Sequence, residues 1–311
     1  MIVAADAAGI RRAAGLLRAG SVVAFPTETV YGLGADAFSA KAVAEVYRLK
    51  NRPSWNPLIV HVPHVVAARE LAAGWPDVAN ELAAAFWPGP LTLVVRRAPH
   101  LTQVGADTGT IAVRVPAHEV ALRLLEATGL PLAAPSANRS EGISPTTAEH
   151  VLRSLPDVPL VLDGGPASWG IESTVLDLTG EVPRLLRPGA LGLREIREVT
   201  GAIALPGDVA DGSARPSPGM SRRHYAPRAK VVLTDEVDPA ALDPSVGVLT
   251  YETAGVPGAE MLSAEPREYA ADLYAALHRL DDAGVATILV KTPPDTEEWM
   301  AVRDRLNRAS A

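Results

Sequence analysis

The sequence predicts an α/β protein in two parts, a larger mixed-sheet domain followed by a smaller parallel-sheet domain. Three observations carry this. Strand-sized apolar runs alternate with segments of helical period along the first two thirds, and some strands are joined by short turns. A small, polar, Pro- and Gly-rich stretch without apolar periodicity then runs from Pro206 to Gly219, as a linker does. Strand and helix alternate again beyond it. At roughly 100–200 residues per domain, 311 residues exceed one ordinary core. The expected boundaries are 1–206 for the first domain, 207–228 for an ordered linker and 229–311 for the second.

In chain order, residues 7–19 carry apolar side chains at helical spacing with Gly20 as a stop, and 21–25 form a short apolar strand ended by Pro26. Residues 39–49 read as a helix with Ser39 as N-cap. A strand is expected over 57–62, helices over 65–73 and 77–86, and strands over 91–95 and 111–115. Residues 119–128 form a helix closed by Gly129; 160–163, 173–178 and 184–187 are further strands. In the second part, 230–233, 246–250 and 285–290 read as strands, with helices over 269–283 and 299–308. That order suggests a compact parallel sheet.

Composition removes several classes of function. The chain is 48% hydrophobic and 21% charged, so a packed core is within reach. The net charge is −7, which argues against nucleic-acid binding through a general basic surface. The acidity is uneven: residues 1–206 hold 18 basic and 19 acidic side chains, against 11 and 17 in residues 207–311. The absence of cysteine removes disulfides, thiolate metal sites and a cysteine nucleophile together. No basic, apolar and cleavage-site pattern opens the chain, and the apolar runs are strand-sized, so a cytoplasmic protein without a membrane span is expected.

No phosphate-loop or H-E-x-x-H motif is present, Gly32-Leu33-Gly34 lacks the third glycine of a dinucleotide fingerprint, and no G-x-S-x-G surrounds Ser136. His61 and His64 lack a cluster of further metal ligands. What remains is a series of polar clusters at strand ends, where α/β proteins bind ligands. Thr27, Glu28, Thr29 and Tyr31 follow the strand over 21–25, in a segment that also reads as a Thr/Gly turn. Lys50 and Arg52 precede another strand. In an extended segment both would face one anion, a compact charge and a planar fork together suiting phosphate. The competing reading is a solvated helix end. Ser136 and Asn138 sit among small residues that let a ligand approach the backbone. Glu172-Ser173-Thr174 and Arg187-Pro188-Gly189 flank later strands. Arg222-Arg223-His224-Tyr225 reads either as a solvated domain junction or as a cap for a nucleotide, by stacking and by charge.

Together, Pro26 to Gly34, Lys50-x-Arg52 with Asn56-Pro57-Leu58, Pro135-Ser136-Ala137-Asn138, Ser144-Pro145-Thr146, Glu172-Ser173-Thr174-Val175 and Arg187-Pro188-Gly189 stand in the order found in one family. The chain resembles the YrdC-like threonylcarbamoyl-AMP synthases. Residues 217–220 and 224–227 resemble the mark of their longer two-domain form. The resemblance implies a twisted YrdC-like first domain, a Rossmann-like second domain and a linker folding over the groove. It implies an ATP-using nucleotidyltransferase that makes L-threonylcarbamoyladenylate and pyrophosphate from L-threonine, bicarbonate and ATP. The product feeds N6-threonylcarbamoyladenosine formation at position 37 of tRNA. Lys50, Arg52, Ser136 and Asn138 match the family's basic-and-polar tetrad. By the same matching, Thr29, His61, Arg114, Ala134 and Ser173 surround the threonine, with Arg114 as the fork for its carboxylate. Arg52, Asn56, Thr110, Ser136, Ser144, Arg187 and Tyr225 hold ATP. Mg²⁺ is expected as phosphate counter-ion, with no carboxylate cluster readable for it, and the implied partners are the downstream tRNA threonylcarbamoyl-transfer machinery. One alternative is an RNA-binding or translation-associated module of the same fold. Another is a hydrogenase-maturation-type carbamoyltransferase, which the missing cysteines disfavour.

Overall fold

The computed structural model describes residues 1–101, 108–205, 223–237, 243–252 and 258–311. The first body is built on β1 (Ile2–Ala4), β2 (Val23–Phe25), β3 (Gly32–Asp36), β4 (Ile59–His61), β5 (Leu91–Arg96), β6 (Thr110–Arg114), β7 (Leu132–Ala133), β8 (Val161–Asp163), β9 (Thr174–Asp177) and β10 (Arg184–Arg187). They lie side by side in the order β1-β8-β2-β3-β7-β4-β6-β5-β9-β10. Parallel pairs (β1/β8, β4/β6, β5/β9) stand in the same sheet as antiparallel ones (β2/β3, β5/β6, β9/β10), which is the mixed sheet expected. The helices of this body are α1 (Ala7–Arg18), α2 (Ala40–Lys50), α3 (Val65–Glu70), α4 (Asp77–Phe86), α5 (Glu119–Thr128), α6 (Ala148–Ser154) and α7 (Leu193–Thr200).

Local chemistry sets the element ends. The Asp6 carboxylate accepts from the amides of Ala8 and Gly9 at the start of α1, and Ser39 Oγ accepts from Ala42 N at the start of α2. Gly129 closes α5 at φ 67°. All three residues of β2 are buried, as a continuous apolar run with both faces covered requires.

The second body holds β11 (Lys230–Thr234), β12 (Val246–Thr250), β13 (Glu260–Met261) and β14 (Thr287–Lys291) with α8 (Pro266–Asp282) and α9 (Met300–Ala309). Its sheet, in the order β11-β14-β12-β13, is parallel throughout. The two bodies share an apolar core: Val30, Ile143 and Ile171 of the first pack with Tyr269, Leu273 and Tyr274 of α8. Around it, His278 Nε2 lies 3.2 Å from Ser144 O, the rings of His150 and His278 stack at 3.8 Å, and Arg153 pairs with Asp282.

Several expectations change. The stretch from Pro26 to Gly34, which also read as a Thr/Gly turn, runs into strand β3 at Gly32. Its backbone lies so close to the Phe25 ring that a Cβ at Gly34 would come within 2.7 Å of it. β1, β7, β13, α6 and α7 add to the elements expected. Lys50 and Arg52 do not share an extended segment: Lys50 ends α2, and Asn51 turns the chain through φ 49°. Nor is Lys50 at a solvated helix end, because it is buried. Most of the expected linker, 207–222, lies outside the described residues, including 217–220. His224 and Tyr225 are buried, so that part is not a solvated junction.

Candidate active site

Strand ends converge on one cavity. Parallel register sets His61 of β4 beside Arg114 of β6, and the chain leaving β7 brings Ala134 against β4 through its amide bond to Ile59 O. The turn after β2 adds Thr27 and Thr29, the residues before β9 add Glu172 and Ser173, and the end of β10 adds Arg187. The cavity encloses about 530 Å³ of empty space, its solvent-open part included, and is further lined by Arg52, Ser136, His224 and Tyr225.

The five residues matched to threonine all line this cavity. Arg114 donates through Nη1 to Thr29 Oγ1 at 3.0 Å, through Nη2 to Glu28 Oε1 at 2.6 Å and through Nε to Gly89 O at 3.1 Å. Arg114 and Glu28 thus form a buried ion pair, with Glu28 Oε2 left without a partner. Ser173 Oγ shares a hydrogen bond with Thr92 and accepts from Arg187 Nη2 at 3.2 Å. His61 Nδ1 is buried and unpartnered, and burial, reinforced by Arg114, lowers its pKa to about 3. The imidazole is therefore neutral near pH 7.

Of the residues matched to ATP, Arg52, Ser136, Arg187 and Tyr225 line the cavity, whereas Asn56, Thr110 and Ser144 do not. Asn56 buries an unpartnered Oδ1. Thr110 starts β6, four residues before Arg114, and shares a 2.8 Å hydrogen bond with Thr108. Ser144 stands one hydrogen bond behind Glu172. Arg52 spends its guanidinium on the carbonyls of Asn56 and Pro57, and Arg187 on Ser173. Burial brings Arg52 down to about 10, so it stays charged at neutral pH.

Lys50 and Asn138 lie behind the cavity wall. The Lys50 ammonium donates to Ser136 O at 2.6 Å and to the carbonyl of Asn138. Asn138 Nδ2 donates to Arg139 O and Gly142 O, both at 2.8 Å. Burial, and then Arg52, push the Lys50 ammonium well below its ordinary range. Both side chains hold the loop that carries Ser136 into the cavity wall.

Glu172 was singled out as part of a motif, and its partners were not foreseen. It accepts from Ser144 Oγ at 2.5 Å, from Tyr274 of α8 at 3.0 Å and from Arg305 Nε of α9 at 2.8 Å. Burial raises its pKa, but Arg305 and then Arg187 outweigh this and hold it at about 2. Tyr225, in a left-handed conformation at φ 62°, packs 5.8 Å from Tyr274 and 4.9 Å beneath the Arg305 guanidinium. Its hydroxyl and His224 Nδ1 are buried without partners. The signal for Arg305 is its spacing, because it falls on the stripe of Val302, Leu306 and Ala309.

The low pKa values set an acid limit on stability. A histidine that ionises at 6.5 when unfolded and near 3 when folded supports the fold above pH 6.5 and loses that support as pH falls towards 3. Glu172 adds a second loss as pH falls from 4.5 towards 2. In urea unfolding the His61 contribution is expected to be flat between pH 8 and 7.5 and to fall by about 2 kcal/mol at pH 5. A flat profile down to pH 5 would contradict this.

Comparison with known proteins agrees. Residues 15–189 match the family model described as telomere recombination, and residues 192–311 match that of the threonylcarbamoyl-AMP synthase C-terminal domain. The threonylcarbamoyl-AMP synthase of Bacillus subtilis is 42% identical over 97% of this chain and 92% of its own. That of Pyrococcus abyssi is 42% identical over 97% and 94%. The crystal structure of P. abyssi Sua5 complexed with L-threonine superposes with a TM-score of 0.90 at 40% identity, covering 97% of this chain and 94% of that one. A P. abyssi Sua5 structure with a neighbouring histidine and tyrosine replaced by alanine gives 0.92 at 38% identity, over 100% and 96%. With both models matched and relatives aligned along nearly its whole length, the chain belongs to the threonylcarbamoyl-AMP synthase family in its two-domain form.

Proposed function

We propose that the cavity between β4, β6, β9 and β10 is where this ATP-using enzyme joins L-threonine, bicarbonate and ATP into L-threonylcarbamoyladenylate, with release of pyrophosphate. One observation carries this placement. Arg52 and Arg187 are buried at its wall with only neutral hydrogen-bond partners, and neither lies within ion-pair distance of a carboxylate among the described residues. Buried charge without a contacting counter-ion is costly; beyond the longer-range attraction between Arg187 and Glu172, the polyphosphate of ATP supplies one.

Threonine is assigned to Thr29, His61, Arg114, Ala134 and Ser173, its carboxylate towards Arg114. Its amine, once neutral, attacks the carbon of bicarbonate or CO₂ to give a carbamate; from bicarbonate, water leaves. A carbamate oxygen then attacks the α-phosphorus of ATP in line, and the bond to the β-phosphate oxygen breaks to release pyrophosphate. Both reactants are anions, so the chain contributes alignment and charge stabilisation. Arg52 and Arg187 face the phosphates, and Ser136 lies beside them on a loop held by Lys50 and Asn138. Asn56, Thr110, Ser144 and Tyr225 complete the assigned ATP site. Among the described residues no group of three His, Asp or Glu side chains is placed to hold a metal. Mg²⁺ is therefore assigned to the substrate, arriving with ATP as its counter-ion.

The division into a catalytic domain over 1–206, a linker over 207–228, described from residue 223 onwards, and a small domain over 229–311 belongs to the same reading, supported by the burial of His224 and Tyr225 in the cavity wall. His224 and Tyr225 are an adjacent His–Tyr pair, as is the pair replaced in the P. abyssi variant. Among the described residues no helix is long and apolar enough to cross a membrane. A product destined for tRNA places the work in the cytoplasm, beside the machinery that transfers the threonylcarbamoyl group. Pyrophosphate release from ATP should require both L-threonine and bicarbonate. Equal release without bicarbonate, or with other amino acids, would overturn the assignment.

A further inference from the structure

Glu172 poses an electrostatic problem. It lines the cavity assigned to ATP and is ionised, and a bare carboxylate on that wall repels phosphate. The solution comes from the other body. Arg305 of α9 does not line the cavity and is almost completely buried, at 1% exposure, behind Glu172. Its Nε donates to Glu172 Oε2 at 2.8 Å, while Nη1 is taken by Asp304 at 2.7 Å. Tyr274 donates to the same carboxylate, so the second body provides both a charge and a hydroxyl. The same guanidinium lies against the Tyr225 ring, which closes the cavity.

We propose that Arg305 is a positioning residue for ATP: as the counter-ion of Glu172, it allows a carboxylate to stand in the phosphate-binding wall without opposing the substrate. The proposal rests on the placement of ATP in this cavity. It gives the second body an electrostatic part in the reaction, exerted through Glu172 and without contact with substrate.

The test uses the full-length protein with Arg305→Met, which keeps the bulk and removes the charge, Glu172→Gln, and the two combined. Binding of Mg·ATP and of L-threonine is measured by calorimetry, with KM for each substrate. Arg305→Met is expected to weaken ATP at least tenfold while leaving threonine within twofold. Adding Glu172→Gln should restore ATP binding to within threefold of wild type, a rescue that a purely structural role would not give. Unchanged ATP affinity in Arg305→Met, or a double variant no better than the single, would overturn the proposal. Should Arg305→Met fail to fold, the double variant decides, since it leaves no uncompensated charge: ATP binding within threefold of wild type is expected, and a loss of tenfold or more would overturn the proposal. Failure of the wild type to bind ATP would instead refute the placement of ATP.

Discussion

Lys50→Ala is expected to abolish measurable turnover and to lower stability by about 3 kcal/mol. Lys50 is 1% exposed, and its ammonium is shared between the carbonyls of Ser136 and Asn138, with Asn138 Oδ1 at 3.5 Å. Alanine leaves these acceptors buried and unsatisfied, and the loop carrying Ser136 loses its tie to α2. The sequence offered Lys50 either as part of an anion clamp or as a solvated helix end; the buried geometry predicts that fold and rate fall together. Arg52→Ala provides the contrast. Its guanidinium holds only the carbonyls of Asn56 and Pro57 and lines the cavity, so ATP affinity should suffer more than stability. Urea unfolding beside pyrophosphate release separates the two, and wild-type stability in Lys50→Ala would refute the role given to its ammonium.

Arg114→Ala should lose about 3–5 kcal/mol, because it leaves the Glu28 carboxylate buried without its partner. It should also raise KM for L-threonine. Pairing it with Glu28→Gln removes the uncompensated charge, so stability should largely return while threonine affinity does not. If threonine affinity recovered together with stability, Arg114 would be a structural partner of Glu28 and not a ligand for substrate.

The strongly periodic segments were the legible ones. α4, α5, β10 and β12 end where the apolar pattern, Gly129 or the flanking turn residues stop them. β3 was hidden because two of its five residues are glycine, which reads locally as a turn, whereas the cause is the Phe25 ring packed on its backbone. β1, β7 and β13 have two or three residues each, too short for any period to register. Within the site, the strand-end clusters named Thr27, Thr29, Arg52, Ser136, Glu172, Ser173, Arg187, His224 and Tyr225 of the cavity lining, whereas His61, Arg114 and Ala134 were assigned through the family resemblance. The geometry of Lys50 and Arg52 was misjudged because the two-residue alternation holds for extended chain, and Asn51 is left-handed. The pairings of Glu172 with Tyr274 and of Glu28 with Arg114 join distant segments, and no local pattern encodes them. Arg305 looks in sequence like its neighbours Arg303 and Arg308; only the helical phase of Val302 and Leu306 sets it apart.

The strand order has a consequence in time. β8 lies between β1 and β2 and is hydrogen-bonded to both, yet Val161 is made long after Ile2 and Val23. During synthesis the opening strand has no partner of its own, and α1 exposes Ile10, Ala13 and Leu17, which the finished fold buries. Closing so long a loop carries an entropic cost that slows folding. The nascent chain therefore spends its early life with an apolar helix face and an unpaired strand open to other chains, and molecular chaperones have their clearest opportunity before β8 emerges.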